Sequence, residues 1–190
     1  MSEQHPHKTE HTGHEMCHVC NQCKDCHACR CEAQQGPALK KMMIIVSKAG
    51  IDSVYAALIL ANGARSEGIE CDMFFTFFGL DAITKKRMEH LKVAMSGNPG
   101  MHMPEIAGVV PGMETFATHM MQKRMAELDI PGVSEFLDII KAAGGHIYAC
   151  KLAMEMFKLE QSDLWDDTDG VLTVGQFYER YVPGSQIIFI

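Results

Sequence analysis

Six of the eight cysteines fall within fifteen residues, CHVCNQCKDCHACRC, at positions 17–31. Cys17, Cys20, Cys23, Cys26 and Cys29 recur at every third position, and Cys31 follows two residues on. His14, His18 and His27 lie among or just before them. Thiolates and imidazoles at this density suit zinc, copper(I) or an iron–sulfur cluster. Each Cys-x-x-Cys pair is a strong ligand signal. Overlapping pairs without a gap of roughly 12–20 residues do not, however, match a zinc finger or zinc ribbon. A pliable cluster formed by these cysteines and histidines is one expectation. A thiol-rich tail that takes up whichever metal is abundant is the other.

The remaining cysteines, Cys71 and Cys150, stand in a different kind of sequence. Residues 1–39 hold Val19 and Leu39 as their only branched aliphatics, too little apolar surface to offset the entropy of ordering. That stretch is expected to be a tail, disordered or ordered by metal, with QQGPA at 34–38 as a hinge. Residues 40–190 read as a folded domain. MMIIV (42–46), CDMFFTFF (71–78), HIYAC (146–150), GVLTV (170–174) and QIIFI (186–190) are short apolar runs without period-two polarity. Helical patterns lie between them, at 52–68 and about 80–95, 113–128, 133–143, 151–159 and 175–182. Alternating strands and helices of this kind imply a parallel sheet covered on both faces, a doubly wound, flavodoxin-like α/β fold with five strands.

In an open parallel sheet, ligands meet the carboxyl ends of the strands. Cys150 closes the third strand and opens a helix, where the helix field favours thiolate. Cys71 begins the second strand, at the other end of the sheet, and reads as a small buried hydrophobe. A strand length of roughly 15–20 Å separates the two, too far for a disulfide. The Gly- and Pro-rich stretch SGNPGMHMPEIAGVVPG (96–112), which carries His102, is long enough to imply a binding or covering role and is expected to border Cys150. His90, His119 and His146 complete the domain's histidines, and no Cys–His–Asp relay can be assigned among them. DDTDGVLTVGQ brushes against a calcium loop, but Trp165 holds the first ligand position and Gln176 the twelfth, which excludes calcium there. No G-x-S-x-G, G-x-G-x-x-G or phosphate-loop motif is present. Fifteen methionines, Met120, Met121, Met125, Met154 and Met156 among them, read as core filling.

The formal net charge of −7 gives no reason to expect nucleic acid or an anionic membrane as partner. No apolar run approaches the roughly 18 residues of a membrane span. The polar, His-rich start lacks the apolar core of a signal peptide, so a cytoplasmic location is expected. In that reducing compartment, clustered cysteines read as metal ligands or redox thiols.

KKMMIIVSKAGIDSVYAALILANGARSEGIECDMFFTFFGL, MPEIAGVVPGMETFATHMM, IYACKLAMEM and the final IIFI together resemble the DsrE/DsrF-like family of sulfur-relay proteins, in the branch often labelled peroxiredoxin-like. The resemblance covers about residues 40–190 and does not reach the tail. It implies a flavodoxin-like sheet, an oligomer, and sulfane sulfur carried on the cysteine at position 150. It also implies exchange with TusA-like carriers and rhodanese-like donors. Ala153 stands where the family pattern leads one to expect a serine.

Three functional readings follow. In the first, Cys150 is the thiol of a sulfur carrier or sulfurtransferase, needing an exposed thiolate more than a fixed triad and no cofactor. In the second, the chain acts as a zinc, copper or iron–sulfur protein through its tail, with the domain as an oligomeric module. In the third, the tail supplies thiols that exchange sulfur with Cys150 or reduce it. The apolar QIIFI terminus adds an expectation of burial inside the fold or against a second copy.

Overall fold

The computed structural model describes residues 39–93 and 112–190. The nine candidate metal ligands of the tail, His102 and almost all of the 96–112 stretch lie outside the described residues.

Five strands form one all-parallel sheet, as the alternating apolar runs imply. They are β1 (Lys41–Val46), β2 (Glu70–Phe75), β3 (His146–Cys150), β4 (Gly170–Leu172) and β5 (Ser185–Phe189). Their order is β4-β3-β2-β1-β5, so the chain steps outward from β1 to β4 and then returns to the free side of β1. Right-handed crossovers in opposite directions must pass over opposite faces of a sheet. The outward steps place α1 (Ile51–Ser66) and α3 (Val133–Ala142) on the face that holds Ile44, Val46, Met73 and Phe75. The return step carries α5 (Val174–Glu179) across the face that holds Phe74 and Tyr148. Phe177 of α5 stacks on Phe74 with ring centroids 4.6 Å apart. α2 (Met113–Glu127) and α4 (Lys151–Phe157) complete the helices among the described residues.

Local chemistry sets the ends of these elements. Gly144, at φ 84, makes the left-handed turn after α3, and Gly145 then enters β3 against Ile140. Thr173 caps α5: its hydroxyl accepts from the Gln176 amide, and the Gln176 side chain accepts from the Thr173 amide. Gln176 therefore has a capping role where a calcium loop would need a glutamate. Asp169 accepts from the Ile147 amide at 2.7 Å and pairs with Lys141, joining the loop before β4 to the start of β3.

The helix expected over about 80–95 is not formed, and β2 ends at Phe75 rather than at residue 78. Two 3₁₀ turns, Phe77–Ile83 and Met88–His90, take their place. Tertiary hydrogen bonds override the helical pattern here. The Trp165 amide donates to the Ile83 carbonyl at 2.8 Å, the Lys85 amide donates to the Asp163 carbonyl, and Thr84 bridges antiparallel to Leu164. Gly79 lies so close to the end of β1 that a Cβ would come within 2.2 Å of the Val46 carbonyl oxygen.

Beneath α5 lies a buried ion cluster. Asp72 of β2 is fully buried, with Lys41 Nζ at 2.8 Å and Arg180 Nε at 2.5 Å. The Arg180 guanidinium also lies 4.6 Å from the centre of the Tyr148 ring. Two cations around one carboxylate tie the segment after α5 to the sheet. Removing Asp72 would strand both, at a cost of about 3–5 kcal/mol.

Candidate functional site

Cys150 is the last residue of β3 and the N-cap of α4, at φ −77 and ψ 119. It lies at the carboxyl edge of the sheet, the edge where parallel sheets bind ligands. Alternation along β3 puts His146, Tyr148 and Cys150 on one face and Ile147 and Ala149 on the other. Cys150 therefore shares the face covered by α5. On its outer side it pairs with Leu172 of β4. On its inner side the β2–β3 register, Phe75 with Ala149, brings Thr76 alongside at the next step.

The site is enclosed. Cys150 is 3% exposed, in contrast to the exposed thiol expected from sequence. The 3₁₀ turn at Phe77–Ile83 packs on both β3 and α4, with the Phe78 and Phe157 rings 5.6 Å apart. The turn that follows β2 thus packs against the two elements that meet at Cys150. Above it the surface is apolar: Phe77, Phe78, Leu152 and Met156 are all exposed, Phe78 by 62%. Phe77 adopts a left-handed φ of 46, rare for an aromatic residue, and so presents its ring to solvent. Two surface clefts, of about 180 and 390 Å³, lie elsewhere and do not include Cys150 in their linings.

Cys71 lies on the other face, with Met73 and Phe75, at the amino end of β2. It is 1% exposed. Burial pushes its thiol up to about 12, and the neighbouring Asp72 adds to the rise against Arg65 and Lys41. It is a core residue with no thiolate at ordinary pH. Both cysteines of the described residues are free.

His90 and His119 are exposed, and His146 stands at the amino end of β3, 3.3 Å from Asp169 and four residues from Cys150. The structure gives Cys150 no histidine partner among the described residues. No group of three or more His, Cys, Asp or Glu side chains is gathered there as a metal site, and no helix there is long and apolar enough to cross a membrane. Sequence reasoning missed Thr76. Its signal was a single hydroxyl inside the apolar run FFTFF, at the point where the strand stops.

The fold and the placement of Cys150 define a doubly wound α/β protein with one of its two described thiols at the carboxyl edge of its sheet. Residues 38–188 match the DsrE/DsrF/DrsH-like family, and the chain belongs to it. The chain is 32% identical over 138 residues to the sulfur carrier protein DsrE2 of Allochromatium vinosum, an alignment covering 68% of this chain and 86% of that protein. It is 23% identical over 142 residues to the uncharacterized protein YrkE of Bacillus subtilis, covering 68% of this chain and 84% of YrkE. A protein of unknown function from Methanobacterium thermoautotrophicum, MTH1491, shares the fold, with a TM-score of 0.51 at 9% identity over 79% of this chain and 98% of that one.

Proposed function

We propose that this chain is a sulfur carrier that holds sulfane sulfur on Cys150 and passes it to a partner thiol. The observation that carries this reading is the division of the two domain cysteines: Cys150 lies at the carboxyl edge beside a helix start, and Cys71 is sealed at the opposite end. Membership in the family and similarity to a protein named a sulfur carrier support it.

The chemistry is exchange at sulfur. The Cys150 thiolate attacks a terminal sulfane sulfur of a polysulfide or thiosulfonate. A new S–S bond forms as the donor's S–S bond breaks, and the shortened polysulfide or the sulfinate leaves with the electron pair. The charge stays balanced, and Cys150 becomes a persulfide anion. An acceptor thiolate then attacks the outer sulfur and releases Cys150. In this reading the Phe77–Ile83 turn is the site's roof and keeps this persulfide from bulk thiols. Loading and delivery then occur from the carboxyl edge, where Phe77, Phe78, Leu152 and Met156 offer an apolar rim to a protein partner. A TusA-like carrier or a rhodanese-like donor in the cytoplasm fits that role.

The tail is proposed as a separate appendage. Cys17, Cys20, Cys23, Cys26, Cys29 and Cys31, with His14, His18 and His27, would hold zinc, copper or an iron–sulfur cluster, a reading that rests on spacing alone.

Anaerobic incubation with polysulfide, followed by mass spectrometry of the Cys150 peptide, tests the carrier. Wild type gains the mass of one or more sulfur atoms on that peptide. Loading of the domain of Cys150→Ser to the wild-type level would refute the proposal.

A further inference from the structure

Thr76 is the one polar side chain in FFTFFGL, and the packing of the strand does not call for it. The strand pairing runs from Asp72 with His146 to Phe75 with Ala149, which puts Thr76 level with Cys150. Both residues remain extended, Thr76 at φ −135 and ψ 162 and Cys150 at φ −77 and ψ 119. Alternation therefore carries both side chains to the same face, on adjacent strands about 4.8 Å apart. Leu172, on the far side of Cys150, has no donor to offer.

Thr76 is 8% exposed. Its amide donates to the Val46 carbonyl, and its carbonyl accepts from the Gly79 amide. Its hydroxyl has no hydrogen-bond partner among the described residues. No fully buried side-chain polar atom among the described residues lacks a partner, so this hydroxyl, though largely covered, still reaches solvent. It is a donor free to turn toward the proposed reactive sulfur.

We propose that the Thr76 hydroxyl donates a hydrogen bond to the sulfur anion on Cys150, to the thiolate before loading and to the outer sulfur of the persulfide after it. This rests on the sulfur-carrier reading and adds to it the residue that selects for anionic sulfur. A donor hydrogen bond favours a charged acceptor over a neutral one. Thr76 therefore orients the reacting sulfur and retains the loaded persulfide, with no histidine required. The same bond orients the outer sulfur under the Phe77–Ile83 turn.

The test uses the full-length chain and sodium polysulfide as probe, with sulfur on the Cys150 peptide followed by mass spectrometry. Thr76→Val loads about tenfold more slowly than wild type near neutral pH, the loss expected for one hydrogen bond to a charged group. Thr76→Ser restores the rate to within about twofold, since it returns the hydroxyl. Rescue by Thr76→Ser, which returns the hydroxyl without the methyl, separates the hydrogen bond from a packing defect. Loading of Thr76→Val at the wild-type rate, or equal slowing in Thr76→Ser, overturns the role of Thr76. Sulfur gained by the domain of Cys150→Ser, read over all its peptides, at the wild-type level overturns the carrier reading beneath it, so the two failures are distinct. Should Thr76→Val fail to fold, the comparison of Thr76→Ala with Thr76→Ser carries the same criteria.

Discussion

Cys71 and Cys150 lie on neighbouring strands, yet on opposite faces and at opposite ends of one sheet. Asp72 pairs with His146, so Cys71 falls one step before that rung and Cys150 four steps beyond it. At about 3.3 Å per step the separation along the strands is roughly 16 Å. No disulfide can join them. One domain thus holds an inert thiol and a placed one, and the difference between them can be measured.

Native Cys71 should resist alkylation up to strongly alkaline pH. Its folded value is pushed up to about 12, first by burial and then by Asp72. Between pH 9 and 12 the unfolded chain gives up this proton while the folded chain keeps it. The contribution to stability is complete below the unfolded value and is lost as pH rises. Burial also raises Tyr55 and Tyr148, which act in the same direction at higher pH. Urea unfolding across about pH 8 to 11 should show falling stability, with a shallower fall in Cys71→Ala. An unchanged slope in that variant would contradict the assignment.

Gly79→Ala should damage the site through the turn proposed as its roof. The added Cβ meets the Val46 carbonyl oxygen at 2.2 Å, and the obstacle is backbone, which cannot swing aside. A loss of about 1–3 kcal/mol is expected from overpacking, read as a lower Tm. Because the displaced segment packs against the two elements that meet at Cys150, alkylation of that thiol should become faster in the native state. Slower alkylation would mean that the turn does not act as a roof.

Removing residues 1–38 should leave a folded domain that still loads sulfur on Cys150. The family match begins at residue 38, and the domain has a buried core cluster of its own. Most bound metal should be lost with the tail, by elemental analysis of protein equilibrated with zinc. Unfolding by circular dichroism, or failure to load sulfur, would place the tail within the active unit.

The domain should associate with itself. Among the described residues β5 is an edge strand paired only to β1, with Ile187 exposed and Phe189 exposed by 69% on the face that α5 crosses, where α5 does not cover them. Val182, Tyr178 and Tyr181 are exposed as well. Apolar edges of this kind are usually covered in solution. Sedimentation at tens of micromolar should show an oligomer, shifted toward monomer in Phe189→Glu. A wild-type monomer at that concentration would refute the expectation.

Much of this protein is legible in its sequence because its signals are local. Runs such as MMIIV and HIYAC lack polar alternation, and only strands buried on both faces tolerate that. The position of each cysteine within its run then decides which end of the sheet it occupies, so sequence alone separates Cys150 from Cys71. What sequence could not determine depends on residues far apart along the chain. The helical pattern near 80–95 yields to 3₁₀ turns because Ile83, Thr84 and Lys85 find backbone partners about 80 residues later. Asp72 is tolerated at zero exposure because Lys41 and Arg180 reach it from β1 and from the chain beyond α5. The burial of Cys150 and the placement of Thr76 one step beyond the last paired rung beside it arise from the register of two strands separated by 70 residues of chain. Hydrophobic pattern is a property of neighbours in sequence, and it determined the elements. Register, burial and the companions of a reactive group are properties of neighbours in space, and only tertiary packing decided them.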